Sequence, residues 1–166
     1  MRKINTLIIS IIFTLFLLSC GGEDRTERIK ELYEAINYSH DGLTWSDVSN
    51  NNMTWDDATS YCQDLGVRLP TISELRTLIQ NCPATETGGN CKVTDSCLSW
   101  DDCRNDACDG CSYDTSGGYS VFGDTDSFWS SSERSDYTGY AWSVYFESGN
   151  VRSGSKLYKL HVRCVY

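Results

Sequence analysis

The chain is poor in histidine, proline and positive charge, and each shortage closes off a class of function. Its two histidines, His40 and His161, lie far from its cluster of cysteines, so a zinc site built from mixed Cys and His ligands has no nearby histidine. Two prolines against thirteen glycines leave many turns and few rigid breaks. Fourteen Lys and Arg stand against 23 Asp and Glu, a formal charge of −9, and that field repels nucleic acid. There is no nucleophile elbow, no phosphate-cradling Gly-rich loop and no metalloprotease helix. The expectation is therefore a protein without enzymatic activity. No internal repeat is present. The apolar stretch Leu7–Leu18 has twelve residues, short of the roughly twenty that a membrane helix needs.

What the stretch does fit is the core of a signal peptide, behind the basic start Arg2-Lys3. It ends in Leu17-Leu18-Ser19-Cys20, followed by Gly21-Gly22, which resembles the lipobox of bacterial lipoproteins. That resemblance implies a signal peptide over 1–19, acylation of Cys20 as the mature N-terminus, and a membrane partner held through the lipid. Gly rather than Asp at position 21 leans towards the outer membrane, on its periplasmic face or at the cell surface. Several acyl chains on one residue anchor stably where one chain does not. Loss of Arg2 and Lys3 takes the mature charge to −11. The chain has nine cysteines, an odd count that an exported protein must account for. Lipidation uses Cys20; Cys62, Cys82, Cys91, Cys97, Cys103, Cys108, Cys111 and Cys164 remain and can pair fully.

Residues 20–41 read as the lipidated cysteine, a tether and a short helix, with Ile29, Leu32, Tyr33 and Ile36 at helical spacing. A globular domain is expected over 42–166. "GLTWSDV" reads as a short strand. In "MTWDDATSYCQDLG", Thr54 and Asp57 have capping-box spacing, Trp55, Ala58, Tyr61, Cys62 and Leu65 share one helical face, and Gly66 is a stop. A second helix follows in "LPTISELRTLIQNC", with Thr71 and Glu74 as its capping box. Residues 82–118 have no periodicity and form a Cys-rich loop that burial alone would not hold. Strand patterns follow in "SFWSSSE", "YAWSVYFES", "VRSGSK" and "KLHVRCVY". Helices before an antiparallel meander give an α+β class.

"MTWDDATSYCQDLG", "RLPTISELRTLI", "FWSSSE", "YAWSVYFESGNV" and "HVRCVY" occur in an order and spacing that resemble the Lcl C-terminal domain family, over about residues 42–166. The resemblance implies a C-type-lectin-like fold and an exported bacterial protein. It also implies adhesion or ligand binding, glycosaminoglycans being associated with the name-giving member. It further implies a disulfide between Cys62 and Cys164, where lectin-like folds join first helix to last strand. The Cys-rich loop is not general in that family. Its six cysteines allow fifteen pairings, and the sequence does not choose among them.

Cys108-x-x-Cys111 has neither the second pair a zinc site favours nor a thioredoxin-like βαβ context. In an oxidising compartment the loop is expected to be stapled by disulfides, and rigid polar loops often carry binding sites. No metal is assigned. Asp101, Asp102, Asp106, Asp109, Asp114, Asp124 and Asp126 keep calcium open as a cofactor, although the sugar-binding tripeptides of calcium-dependent lectins are absent. Between Ser148 and Tyr166 there are four cations and no acid. Arg152, Lys156, Lys159 and Arg163 are thus candidates for a patch facing an acidic glycan. Trp45, Trp55, Trp129 and Trp142 are expected in the core. Trp100, inside the loop, is the candidate exposed aromatic contact. The expected partner is a glycan or, alternatively, an envelope protein contacted by a structural or interaction module.

Overall fold

The computed structural model describes residues 38–166. The expected signal peptide, Cys20 and the helical pattern of residues 24–36 lie outside the described residues.

The described chain opens with a hairpin ahead of the expected domain start, β1 (Tyr38–His40) paired antiparallel with β2 (Leu43–Trp45). Asp41 and Gly42 make the turn at φ of 51° and 75°, the positive pair that a two-residue hairpin loop requires. Helix α1 (Trp55–Asp64) starts at Thr54, whose hydroxyl accepts from the Asp57 N–H and donates to the Asp57 carboxylate. Its buried strip is narrow. Ala58 and Cys62 are buried, whereas Tyr61 and Leu65, expected on the same face, are exposed. Helix α2 (Ile72–Thr77) carries the full Thr71/Glu74 capping box, which satisfies two otherwise orphaned N–H groups.

The main sheet is β3 (Ser127–Glu133), β4 (Tyr140–Tyr145) and β5 (Asn150–Ser155), antiparallel in that order. Phe128, Val144 and Val151 are cross-strand partners, as are Trp129, Ser143 and Arg152; partners share a face. The first face packs on Trp45, Leu75, Leu78 and Val93 from β2, α2 and the loop. The second packs on Ala58, Cys62, Leu69, Val162 and Cys164. Trp45, Trp129 and Trp142 are fully buried. The architecture is α+β, two helices followed by an antiparallel sheet with a disulfide-rich insertion.

"KLHVRCVY" is not a strand of that sheet. It makes isolated bridges in turn, Leu160 to Met53, His161 to Phe128, and Val165 to both Trp45 and Arg68. Its backbone bonds go to the segment after β2 on one side (Ser46, Ser49, Met53) and to Ser127 and Trp129 on the other. Partners that change every one or two residues leave no ladder, although the strand-like alternation remains.

Four disulfides are formed. Cys62–Cys164 ties α1 to the C-terminal segment across 102 residues. The loop holds Cys82–Cys111, Cys91–Cys108 and Cys97–Cys103. Between them lie two single turns, α3 (Trp100–Cys103) and a 3-10 turn over Asp106–Asp109. The loop also has an organising side chain in α2. Arg76, 2% exposed, donates to the carbonyls of Thr85, Glu86 and Val93. Among the described residues no carboxylate meets it, and its burial pulls the guanidinium below its ordinary pKa.

Candidate functional site

The seam between the stapled loop and the β3–β4 turn collects aromatic, cationic and acidic side chains. The Cys97–Cys103 staple and the Ser99 cap hold α3. The Leu98 carbonyl accepts from the Ser135 N–H at 3.2 Å and from the Trp142 indole at 3.0 Å, so loop and turn are fastened together. Trp100 is half-buried, not freely exposed. It stacks on Trp142 with ring centroids 5.9 Å apart, and the Arg104 and Arg134 guanidinium carbons each lie 5.2 Å from its centroid. The Trp100 backbone N–H donates to the Asp136 carboxylate at 3.1 Å. Arg134 meets Asp136 through two bonds, of 3.0 and 2.7 Å, a bidentate geometry. It also lies 5.5 Å from the Tyr140 centroid and 6.0 Å from that of Tyr137. Tyr137 is 56% exposed, its ring centroid 5.0 Å from that of Tyr140. The Arg134 guanidinium holds the Asp136 carboxyl down at about 2.

The four cations of the C-terminal stretch do not form one patch. Arg163 is 3% exposed and bonds Asp124 at 2.9 and 2.7 Å and the Ser46 carbonyl at 2.7 Å. It lies in the interior because its segment bridges between elements instead of edging a sheet. Lys156 pairs with Glu133 at 2.7 Å and sits 4.1 Å from the Trp55 centroid. Arg152 lies 4.5 Å from the Tyr145 centroid and donates to the Ser127 hydroxyl. Lys159 is exposed. The expected shared patch fails for Lys159 and Arg163, since one is in solvent and the other in the interior.

Residues 34–166 match the model of the Lcl C-terminal domain. The chain belongs to the Lcl C-terminal domain family. No curated protein matches it in sequence.

In this Lcl C-terminal domain part of the acidic stretch is committed to internal contacts, while Asp101, Asp102 and Asp106 are exposed. Asp124 is taken by Arg163, Asp109 by Arg104, and Asp114 accepts from the Ser116 N–H and hydroxyl. Among the described residues, no group of three or more His, Cys, Asp or Glu is placed to hold a metal ion. An open cleft of about 390 Å³ lies between the hairpin and the loop, lined by His40, Asp41, Thr77, Ile79, Glu86 and Thr87. It contains none of the ligand-binding candidates read from sequence, Trp100, Arg152, Lys156, Lys159 and Arg163.

Sequence reasoning reached Trp100 and missed Arg134, Asp136, Tyr137 and Tyr140. The legible signal was "ERSDYTGY", a polar turn between two strands that carries one tyrosine, Tyr137, with no strand to bury it and a second, Tyr140, at the start of β4. A second cluster was missed as well. Tyr113, 65% exposed, meets Tyr145, and both hydroxyls donate to Glu147. The Glu147 carboxylate pushes the Tyr113 phenol above its ordinary pKa.

Proposed function

We propose that this chain is an exported, lipid-anchored envelope protein whose Lcl C-terminal domain binds glycan without catalysing a reaction, through the seam around Tyr137 and Trp100. The observation that carries the reading is the placement of an exposed Tyr137 ring beside Tyr140, Arg134 and Asp136 on a turn clamped to the stapled loop. A sugar offers an apolar face to such a ring and hydroxyls to the adjoining guanidinium and carboxylate. Rigid clamping lowers the ordering cost of binding. Four disulfides support an oxidising compartment. The Leu-Leu-Ser-Cys run at 17–20 supports the anchor, and loss of fatty-acid labelling in Cys20→Ser would test it.

The binding test is a glycan array on the oxidised, lipid-free chain, with calcium or with chelator. Saturable binding that weakens about tenfold in Tyr137→Ala, the loss of a contact of ~1.4 kcal/mol, is the expected result, with circular dichroism unchanged. Clean absence of binding by the oxidised protein sinks the glycan reading. A second reading has the same support. Trp, Tyr and Arg are also the side chains that dominate protein–protein hot spots, and an envelope protein captured through Tyr137 in place of sugar would favour it.

A further inference from the structure

The second aromatic cluster lies where the stapled loop leaves Cys111 and crosses the end of β4. The loop is held there by the Cys82–Cys111 bridge, by the Cys111 N–H on the Ser148 carbonyl at 2.7 Å, and by the Asp114 N–H on the Glu147 carbonyl at 2.6 Å. These contacts bring the Tyr113 and Tyr145 hydroxyls to 2.7 Å. The ring centroids are 6.1 Å apart and the planes inclined by 59°. Two phenols meeting head to head would hold their rings farther apart. The rings therefore lean together, and an ortho carbon of each flanks the hydroxyl contact. Both hydroxyls donate to the same Glu147 oxygen, so each phenolic proton has a base within hydrogen-bond reach. Tyr113 is open to solvent, and Tyr145 is partly so.

We propose that Tyr113 and Tyr145 are a site of oxidative dityrosine cross-linking, with Glu147 as the proton acceptor. The oxidant class is a peroxide acting through a haem peroxidase. Each phenol gives up one electron, and its proton leaves to Glu147 and then to water. The two tyrosyl radicals join through a new carbon–carbon bond between ortho carbons, and the ortho hydrogens return to the phenolic oxygens. The protein loses two electrons and two protons in all, and these reduce one peroxide to two waters. Pre-alignment makes the coupling intramolecular, where a high effective concentration favours it over joining two chains. The product fastens the end of the loop to β4 by a bond that thiol reductants do not open, beside a disulfide that they do.

The molecule supplies its own competitor. Tyr137 and Tyr140 have rings only 5.0 Å apart, but among the described residues their hydroxyls make no contact with each other and meet no carboxylate. The experiment treats the oxidised full-length protein with hydrogen peroxide and a haem peroxidase. It reads dityrosine fluorescence and maps cross-linked peptides by mass. The expected product is a monomer lighter by two hydrogens, linked between Tyr113 and Tyr145, formed at a rate independent of protein concentration. Tyr113→Phe and Tyr145→Phe each abolish that linkage. Glu147→Gln, which keeps the side-chain shape and loses the base, slows it roughly tenfold or more. Dityrosine found chiefly between Tyr137 and Tyr140, or chiefly between molecules, overturns the proposal. Persistence of the signal in Tyr113→Phe does the same, and an unchanged rate in Glu147→Gln overturns the assignment of the proton acceptor.

Discussion

Arg163 is the residue at which charge patterning and structure disagree most, and its replacement tests the structural account directly. Its guanidinium makes two bonds to Asp124 and one to the Ser46 carbonyl, with the rings of Tyr38 and Phe122 each 5.0 Å away. The side chains of Arg163 and Asp124 are 3% and 8% exposed. Arg163→Met leaves the Asp124 charge sequestered with, among the described residues, only the Ser120 hydroxyl, at 3.3 Å, to meet it. Breaking one side of a buried pair costs about 3–5 kcal/mol, a large part of the roughly 5–15 kcal/mol that holds a domain folded. The double replacement Arg163→Met with Asp124→Leu removes both charges and is expected to recover most of that loss, since apolar pairs of similar volume often match a buried ion pair. Urea unfolding with disulfides intact measures all three proteins, and comparable m-values license the comparison. A loss under about 1 kcal/mol in the single variant, together with loss of ligand binding, would refute the reasoning and return Arg163 to the recognition surface.

Three further outcomes follow from the same geometry. Removing the Cys62–Cys164 bridge as a double alanine variant is expected to cost about 4–5 kcal/mol in the chain-entropy model, given the 102-residue separation; a midpoint in urea that barely moves would contradict it. Arg76→Met strips the donor from three loop carbonyls; that of Glu86 keeps the Gly89 N–H at 2.9 Å, whereas those of Thr85 and Val93 are left unpaired, at about 1–3 kcal/mol each. A loss of about 3 kcal/mol or more, with faster amide exchange over residues 85–93, is expected in denaturation and exchange measurements. Asp136 has a folded pKa depressed to about 2 by Arg134. Its contact is therefore fully present above the ordinary carboxylate range and is lost only as pH falls through about 2. A carboxyl titration followed by NMR should show that midpoint, and one in the ordinary Asp range would remove the contact from the account.

What the sequence made legible was local. Thr54 and Thr71 announce their helices because a cap and its partner lie three residues apart, and the strands over 127–155 announce themselves by alternation. What it hid was set by partners far along the chain. Arg163 and Asp124 are 39 residues apart, and nothing in the basic run 148–166 says which of its cations the fold will neutralise. Six cysteines in one loop carry no pairing code. Trp100 stood out as an aromatic without an element to bury it. The turn that meets it, 36 residues later at Asp136, became part of the site only through the hydrogen bonds around Leu98.

The pairing of those cations also decides what kind of ligand the seam suits. Arg134 is bound to Asp136, Arg104 to Asp109, Lys156 to Glu133 and Arg163 to Asp124. Among the described residues, Lys92 and Lys159 make no ion pair and Arg152 makes none with a carboxylate. None of these three lies over the ring of Trp100, Tyr137 or Tyr140, and the chain as a whole carries a charge of −9. A sulfated or carboxylated glycan would approach against that field. Under the proposed function, recognition at Tyr137 would then rest on ring contact and on hydrogen bonds to Asp136 and Arg134, which screening touches little. Binding is expected to change less than about threefold between low and high salt, and to favour neutral sugars. A fall of a hundredfold or so over that range, measured on the same array, would mean that charge provides the attraction and that the paired arginines give up their carboxylates to the ligand.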